Sequence, residues 1–459
     1  MCPMVLALDY LRRTRQDRDG LALRAAEHVA AGYERLLGFE VKSDPGGFEW
    51  WGHAPANLFL TAYALAEFHD VAAVHPVDPA LLARISAWLA RRQQPDGSWS
   101  PEGERAAWST DLGKGRTFDL TAYVAWALAR AGAPSASATA WLEAHAGETA
   151  NPYGLALASL ALLAADRGSA TGRALVDRLV AAAEREGPLA SWAPADVTAI
   201  GARGASAAIE TTALAVQALF LDGRHLALAQ RGVARLVAWR GADGRFGTTQ
   251  STILALRALL AADPGGAHTE AADVTVRAGP ASRRVRLDAA STEPVVVELG
   301  EGDVPVSVEG ADVRARVAVS RTTWVPWTVP PPTRGRLRLR VAWPKDPVAV
   351  GRDAYADVLV QNAHPSDAAS VVTVEVGIPP GCDVEPEGVT GEGAASVERG
   401  ERTVVIYLRD LPAGAARAFR VAFRPRYALD VRTAPSKAYE YYVPEEAVAV
   451  APQRVRARR

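Results

Sequence analysis

Cysteine is nearly absent from this chain, with two in 459 residues. Two cysteines cannot build a disulfide framework or a four-cysteine zinc site. An excess of either charge is also missing: lysine plus arginine total 51 and aspartate plus glutamate 52. No global attraction to nucleic acid or an anionic membrane follows from that balance. Long apolar runs are lacking too. The longest candidate, near Gly154–Ala165, is alanine-rich and broken by Ser159, short of the ~18–20 residues that a membrane span needs. The first residues are no export signal, which needs a basic start and then an apolar stretch. Met1–Leu8 carry no basic residue and soon meet Asp9-Tyr10, a pattern that predicts an amphipathic helix through Leu11.

What is present is ordinary globular composition, 49% hydrophobic and 22% charged, at a length that suggests about three domains. The character changes near Ala262–Pro264. Residues 1–262 hold 13 valines and 11 prolines, and residues 263–459 hold 34 and 19. Alanine and leucine favour helix, whereas valine interrupted by proline and glycine favours strands and turns. The helical part repeats itself. Leu60-Thr61-Ala62-Tyr63 returns as Leu120-Thr121-Ala122-Tyr123, with weaker relatives at Thr211–Ala215 and Ser251–Ala255. Turns precede several of these: Pro45-Gly46-Gly47-Phe48, Asp96-Gly97-Ser98-Trp99 and Asp243-Gly244-Arg245-Phe246. Such spacing marks a helix-pair repeat. Segments such as Leu120–Leu128 are apolar nearly all round, and others such as Pro79–Arg92 are amphipathic, so inner helices ringed by outer ones predict an α/α toroid over 1–262. Alternation marks strands at Asp312–Ser320, Arg336–Val341, Val371–Ile378, Thr403–Leu408 and Ala418–Phe423, and the run of short strands with turns predicts a β-sandwich over 334–452. Residues 263–329 read as a thin β unit of about four strands, set off by Pro330-Pro331-Pro332. Residues 453–459 read as a basic tail.

Chemistry is sparse. His69-Asp70 with His75 and Asp78 fits no zinc spacing and reads as solvated loop at a helix end. Glu49, Asp111 and Glu210 could stand at a toroid rim, where helical glycosidases pair carboxylates, but a polar rim explains them as well. No Gly-x-Ser-x-Gly elbow supports nucleophilic hydrolysis. Cys382 lies in a turn beside a strand and reads as inert. Cys2, exposed by its position, could react but has no base near it in sequence. Arg454, Arg456, Arg458 and Arg459 read as a solvated tail, and Tyr439-Glu440-Tyr441-Tyr442 as sheet packing. No catalytic, cofactor or metal residue is assigned.

Several motifs in order resemble the alpha-2-macroglobulin family. Gly46–Gly52, Leu60–Tyr63 and Gln93-Gln94-Pro95-Asp96-Gly97-Ser98-Trp99 are similar to its thioester-containing toroid, and Gly244–Gln250 to that toroid's last turn. Lys437–Tyr442, ahead of Ala447-Val448-Ala449, resembles the closing strands of its receptor-binding domain. The resemblance implies a toroid, the second half of a CUB-like β domain and a closing macroglobulin sandwich. It implies the C-terminal portion of a broad-spectrum endopeptidase inhibitor, not an enzyme, with proteases as partners and an extracellular or periplasmic location. Arginine supplies 47 of the 51 basic residues, a bias suggesting a GC-rich, bacterial genome. The family's Cys-x-Glu-Gln thioester is missing: no Glu-Gln dipeptide occurs, and Cys2 is followed by Pro3-Met4-Val5. The resemblance therefore implies no covalent trapping by this chain alone. The alternatives are an α/α-toroid enzyme, such as a terpenoid cyclase or prenyltransferase, or a free-standing protein-binding module. Against the enzyme stand the missing Asp-x-Asp-Asp run and a C-terminal sandwich foreign to that group.

Overall fold

A computed structural model describes residues 1–14, 20–100, 117–195, 197–199, 201–241, 244–262, 271–278, 281–287, 295–298, 306–309 and 335–459. The first part is helical: α1 (Cys2–Thr14), α2 (Leu21–Leu37), α3 (Leu58–Ala72), α4 (Pro79–Arg91), α5 (Thr117–Arg130), α6 (Ala136–His145), α7 (Pro152–Ala165), α8 (Ala170–Ala181), α9 (Gly204–Asp222), α10 (Leu226–Trp239) and α11 (Thr249–Ala262). The odd-numbered helices pack α1 on α3, α3 on α5, and onward until α11 returns to α1, closing an inner ring. Each even-numbered helix lies outside on its predecessor. Alanine-rich sequence makes this possible: α7 buries nearly its whole length, whereas α4 buries only Leu81, Ile85, Trp88 and Leu89. Helix α9 is long and apolar enough to cross a membrane by length and composition. It is nonetheless an inner helix, packed between α7 and α11.

The sequence repeat has a hydrogen-bonded cause. Thr61, Thr121, Thr212 and Thr252, each on an inner helix, accept at Oγ1 the backbone N–H of Phe48, Trp99, Trp192 and Phe246, at 2.9, 2.9, 3.0 and 3.1 Å. Each aromatic ring is buried beneath the turn that carries it. The Trp99 and Trp192 indoles donate to the Leu89 and Leu179 carbonyls of α4 and α8, at 2.9 and 2.8 Å. One threonine thus fixes a turn, and the turn fixes the outer helix. Glycine is required where these turns touch an outer helix, α4 or α6. Gly46 (φ 90°) and Gly97 (φ 96°) would each place a Cβ 2.4 Å from a carbonyl oxygen, of Arg84 and Ser137 respectively. The Trp192 turn follows a small hairpin, β1 (Glu184–Glu186) and β2 (Leu189–Ser191), which the Asp-Gly signature does not mark.

Beyond the ring, β3 (Ala272–Ala278), β4 (Ala281–Leu287) and β5 (Val306–Glu309) form an antiparallel sheet in the order β4-β3-β5. The expected strand at Asp312–Ser320 and the Pro330–Pro332 connector lie outside the described residues. The sandwich comprises β6 (Leu337–Ala342), β7 (Val348–Ala349), β8 (Ala354–Asn362), β9 (Ala369–Gly377), β10 (Cys382–Asp383), β11 (Val389–Gly391), β12 (Ser396–Arg399), β13 (Thr403–Leu411), β14 (Ala416–Pro425), β15 (Leu429–Arg432), β16 (Ser436–Glu440), β17 (Val448–Val450) and β18 (Arg454–Arg458). One sheet runs β10-β14-β8-β6 with β11 also on β14, and the other β12-β13-β9-β16-β17. Alternate valines, with Leu408, Phe419 and Phe423, fill the space between them, as two half-buried sheets require. The tail reading of 453–459 is corrected. β18 pairs antiparallel with β15 and parallel with β7, because Val455 and Ala457 alternate with the arginines and are buried.

Candidate functional site at the mouth of the toroid

Every outer helix carries the chain back, so the inner helices run the same way and their N-terminal ends share one mouth. Three of them are capped within their own sequence. The Asn57 and Asn151 side chains accept from Leu60 N–H in α3 and Tyr153 N–H in α7, at 2.9 and 3.3 Å, and Thr248 accepts from Ser251 N–H in α11 at 3.1 Å. The sandwich faces this mouth. Tyr442 and Val371 pack with Ala202 and Ala207, and Trp50, Trp51, Phe59 and Tyr441 border that apolar patch.

Charged contacts surround the patch. Glu440 sits 2.8 Å from Arg203 of the toroid and 3.2 Å from Arg336 of the sandwich. Arg409 lies 3.4 Å from Glu49 and over the Trp51 ring, 5.0 Å from its centroid. Arg35 on α2 approaches Glu398 at 3.4 Å, and Thr249 Oγ1 meets the Tyr441 hydroxyl at 3.3 Å. A crevice between the two parts is lined by Val197, Gly201 and Arg203 on one side and Ser370, Glu440 and Tyr442 on the other. The tyrosine stretch therefore does more than pack within a sheet: Tyr441 and Tyr442 join the two domains.

Among the described residues, the rim carboxylates Glu49 and Glu210 are each held by their own partners. Glu49 accepts from the N–H groups of Trp51 and His53, at 2.9 and 3.2 Å, and faces Arg409. Glu210 is fully buried on α9, where Ser251 donates to it at 3.3 Å. Burial pushes its carboxyl up to about 8, against the pull of the Thr198, Ser251 and Thr248 hydroxyls. At neutral pH it is mostly a neutral acid. The two share no partner, and Asp111 lies outside the described residues.

A second charged group lies inside the ring, and sequence reasoning missed most of it. Arg257 of α11 reaches Glu67 at 3.0 Å and Asp70 at 2.5 Å, both on α3, while Arg130 of α5 reaches the other oxygen of Asp70 at 2.5 Å. Burial raises the Glu67 carboxyl despite Arg257. Burial also works to raise Asp70, but Arg257 and Arg130 outweigh it and hold its carboxyl below the ordinary value. The solvated-loop reading of His69 and Asp70 is corrected, because α3 runs to Ala72 and turns Asp70 inward. Asp78 instead caps α4, accepting from Ala80 N–H at 2.9 Å. A glutamate within Leu58–Phe68 and an arginine within Ile253–Leu260 were the available signals, since a lone charge in an inner-helix sequence needs a buried partner.

Cys2 belongs to this interior. The exposed reading is corrected: α1 begins at residue 2, and the thiol is buried beside Leu6 and Ile253. Burial, then Glu67, pushes its pKa well above the ordinary thiol range. Cys382 is also buried, in β10, and burial pushes it up to about 11. Neither is a poised nucleophile. Among the described residues, no three His, Cys, Asp or Glu side chains gather as metal ligands.

Comparison with known proteins agrees with this architecture. The family model described as the A-macroglobulin TED domain matches residues 1–261, and that of the A-macroglobulin receptor binding domain matches residues 367–451. Ovostatin of Gallus gallus is 27% identical over 132 residues, covering 28% of this chain and 9% of ovostatin. Thioester-containing protein 1 allele S1 of Anopheles gambiae is 24% identical over 272 residues, covering 56% of this chain and 19% of that protein. The chain thus spans a small part of these relatives. The structure of native alpha-2-macroglobulin from Escherichia coli, from domain MG7 to the C-terminus, aligns over 99% of this chain and 72% of its own, with a TM-score of 0.67 and 15% identity. Salmonella alpha-2-macroglobulin reacted with methylamine aligns over 99% of this chain and 30% of its own, with the same TM-score and identity. A helical ring matched across its whole length, followed in order by the receptor-binding sandwich, leads to one conclusion: the chain belongs to the A-macroglobulin family.

Proposed function

We propose that this chain supplies the toroid and closing sandwich of an A-macroglobulin-type endopeptidase inhibitor, working outside the cell or in the periplasm. It acts as a binding and conformational module with no catalytic residues of its own. In this reading residues 1–262 are the thioester-type domain, 263–329 a partial CUB-like domain and the sandwich the receptor-binding-type domain. The observation that carries the reading is the pairing, in one chain, of the two family modules with the sandwich seated on the toroid mouth.

Covalent trapping lies outside the reach of the chain's own thiols. A thioester of the family pattern needs a glutamine three residues beyond its cysteine, and those positions hold Val5 and Glu385. Both thiols are buried as well. The test incubates the purified chain with active-site-blocked trypsin and, separately, with methylamine. Co-elution with the protease on size exclusion, no SDS-resistant complex, and neither thiol release nor mass gain with methylamine are expected. Turnover of a polyprenyl diphosphate without protease binding would place the chain among toroid enzymes instead. Amine incorporation at Cys2 or Cys382 would overturn the non-covalent assignment.

A further inference from the structure

Helix α9 differs from its neighbours in the ring. Its N-cap residue, Arg203, makes no side-chain cap, whereas α3, α7 and α11 are capped by Asn57, Asn151 and Thr248. Four N–H groups open every helix and want acceptors. At α9 a carboxylate of the other domain stands close by: Glu445, in the 3-10 turn Pro444–Glu446, lies beside Gly204 and near the N–H groups of Ala205 and Ser206. A carboxylate there also complements the helix dipole. Gly204 opens the helix at φ 56°, a backbone conformation that favours glycine, and Glu445 Oε1 lies beside it.

Three more contacts act on the same few residues. Arg203 is held by Glu440, which Arg336 also grips. Tyr442 packs on Ala202 and Ala207, either side of the first α9 residue. Opposite them, Val371 is the sole described non-glycine residue with positive φ, at 49°. Valine adopts that conformation only under constraint. Here the Val371 carbonyl accepts the Tyr441 N–H at 2.9 Å, and its side chain enters the interdomain patch. The same turn of α9 leads directly to Glu210, whose hydroxyl partner Thr198 sits in the loop before Arg203.

We propose that docking of the sandwich and ordering of the first turn of α9 are a single equilibrium, in which Glu445 serves as the missing N-cap of α9 and Glu440 holds Arg203. When the sandwich leaves, the first turn of α9 and the Gly201–Arg203 lead-in loosen and buried Glu210 becomes accessible, while α3 and α7 keep their own caps. The coupling is internal to the chain and does not depend on whether the chain binds proteases.

Hydrogen exchange on the full chain tests it. Glu445→Ala should speed exchange of the Ala205–Ile209 amides on the order of fivefold, the effect of losing one cap. The first turns of α3 and α7 should not change. Glu445→Gln keeps an acceptor oxygen and should keep most of the protection. A second variant, Arg409→Ala with Glu398→Gln, weakens docking at contacts that do not involve those residues and should release the same segment. Unchanged α9 protection in both variants would overturn the proposal. So would an equal rise in α3 and α7, which would mean general loosening.

Discussion

The toroid and the sandwich solve the problem of charge in opposite ways. The toroid buries Glu67, Asp70 and Arg257 within its ring and Glu210 near its mouth. The sandwich places its pairs outside: Arg420–Asp357, Arg424–Asp353 and Arg454–Asp430 have side chains between 47% and 69% exposed. Among the described residues of the sandwich only Glu440 is a buried charge, and it faces the toroid. Geometry explains the difference. Two facing sheets interdigitate alternate side chains and fill their interior with valine, leucine and phenylalanine. Several helices converging on one axis leave an interior that long side chains from α3, α5 and α11 can span. The ring therefore gains links between non-adjacent helices, at the expense of depending on every partner remaining in place.

The strongest way to break this contrast is Arg257→Met. Removing one partner of a buried group leaves Glu67 without its guanidinium and Asp70 with only Arg130. Loss of about 3–5 kcal/mol is expected, as for other broken buried pairs. Domain-resolved hydrogen exchange in urea should show the toroid opening early and β8, β9, β13 and β14 unaffected. Equal loss in both parts would contradict the separation.

Glu210 sharpens the comparison through pH. Its carboxyl sits at about 8 in the fold, against roughly 4.3 in an unfolded chain. Below the unfolded value both states hold the proton and its contribution to stability is fully present. As pH rises toward 8 the unfolded chain has lost a proton that the fold keeps, so stability falls by about 1.4 kcal/mol per unit. Above that value the loss is complete. Glu210→Gln should flatten this slope while changing stability little at pH 4. Urea unfolding of the toroid at pH 4, 6 and 8 checks it, and parallel slopes in the two proteins would show that Glu210 is not the group responsible.

How much of this could be read from the sequence follows from the range of each interaction. Inner helices were legible because Leu120–Leu128 is apolar on every side, and the sandwich strands because their alternation is local. The repeated threonine was visible, but not its role, since Thr121 accepts from a residue 22 positions away. The Arg454–Arg458 strand was legible in its alternation and was hidden by its charge. Cys2 and Asp70 were misplaced because burial was inferred from position along the chain, whereas a helix face decides it. The domain contact could not be read at all. Arg203 and Glu440 are 237 residues apart, and nothing local announces such a partner.

The threonine–turn bond offers a smaller effect, confined to one side of the comparison. Thr212→Val keeps the shape but leaves the Trp192 N–H buried without its 3.0 Å acceptor. A cost of about 1–3 kcal/mol is expected, with local opening at α8, α10 and the β1–β2 hairpin before the far side of the ring. Thermal unfolding with exchange mapping measures both. Stability within error of the parent would mean that the turn is held by packing of the Trp192 ring alone.

The smallest expected effect belongs to the sandwich surface. Arg454 pairs with Asp430 across β15 and β18, at 2.5 Å, with both side chains half exposed or more. Solvent screens such a pair, and two long side chains must be ordered to make it, so Arg454→Ala should change stability little. The strand itself is a different matter, because Val455 and Ala457 are its buried residues. Val455→Ala removes two methyl groups from the sandwich core and should cost several times more than the arginine change, about 1–3 kcal/mol. Urea midpoints for the two variants, read from probes in the sandwich, decide the matter. A larger loss from Arg454→Ala than from Val455→Ala would mean that charge, and not alternate burial, holds the last strand, and the contrast between the ionic ring and the apolar sandwich would then fail at its C-terminal edge.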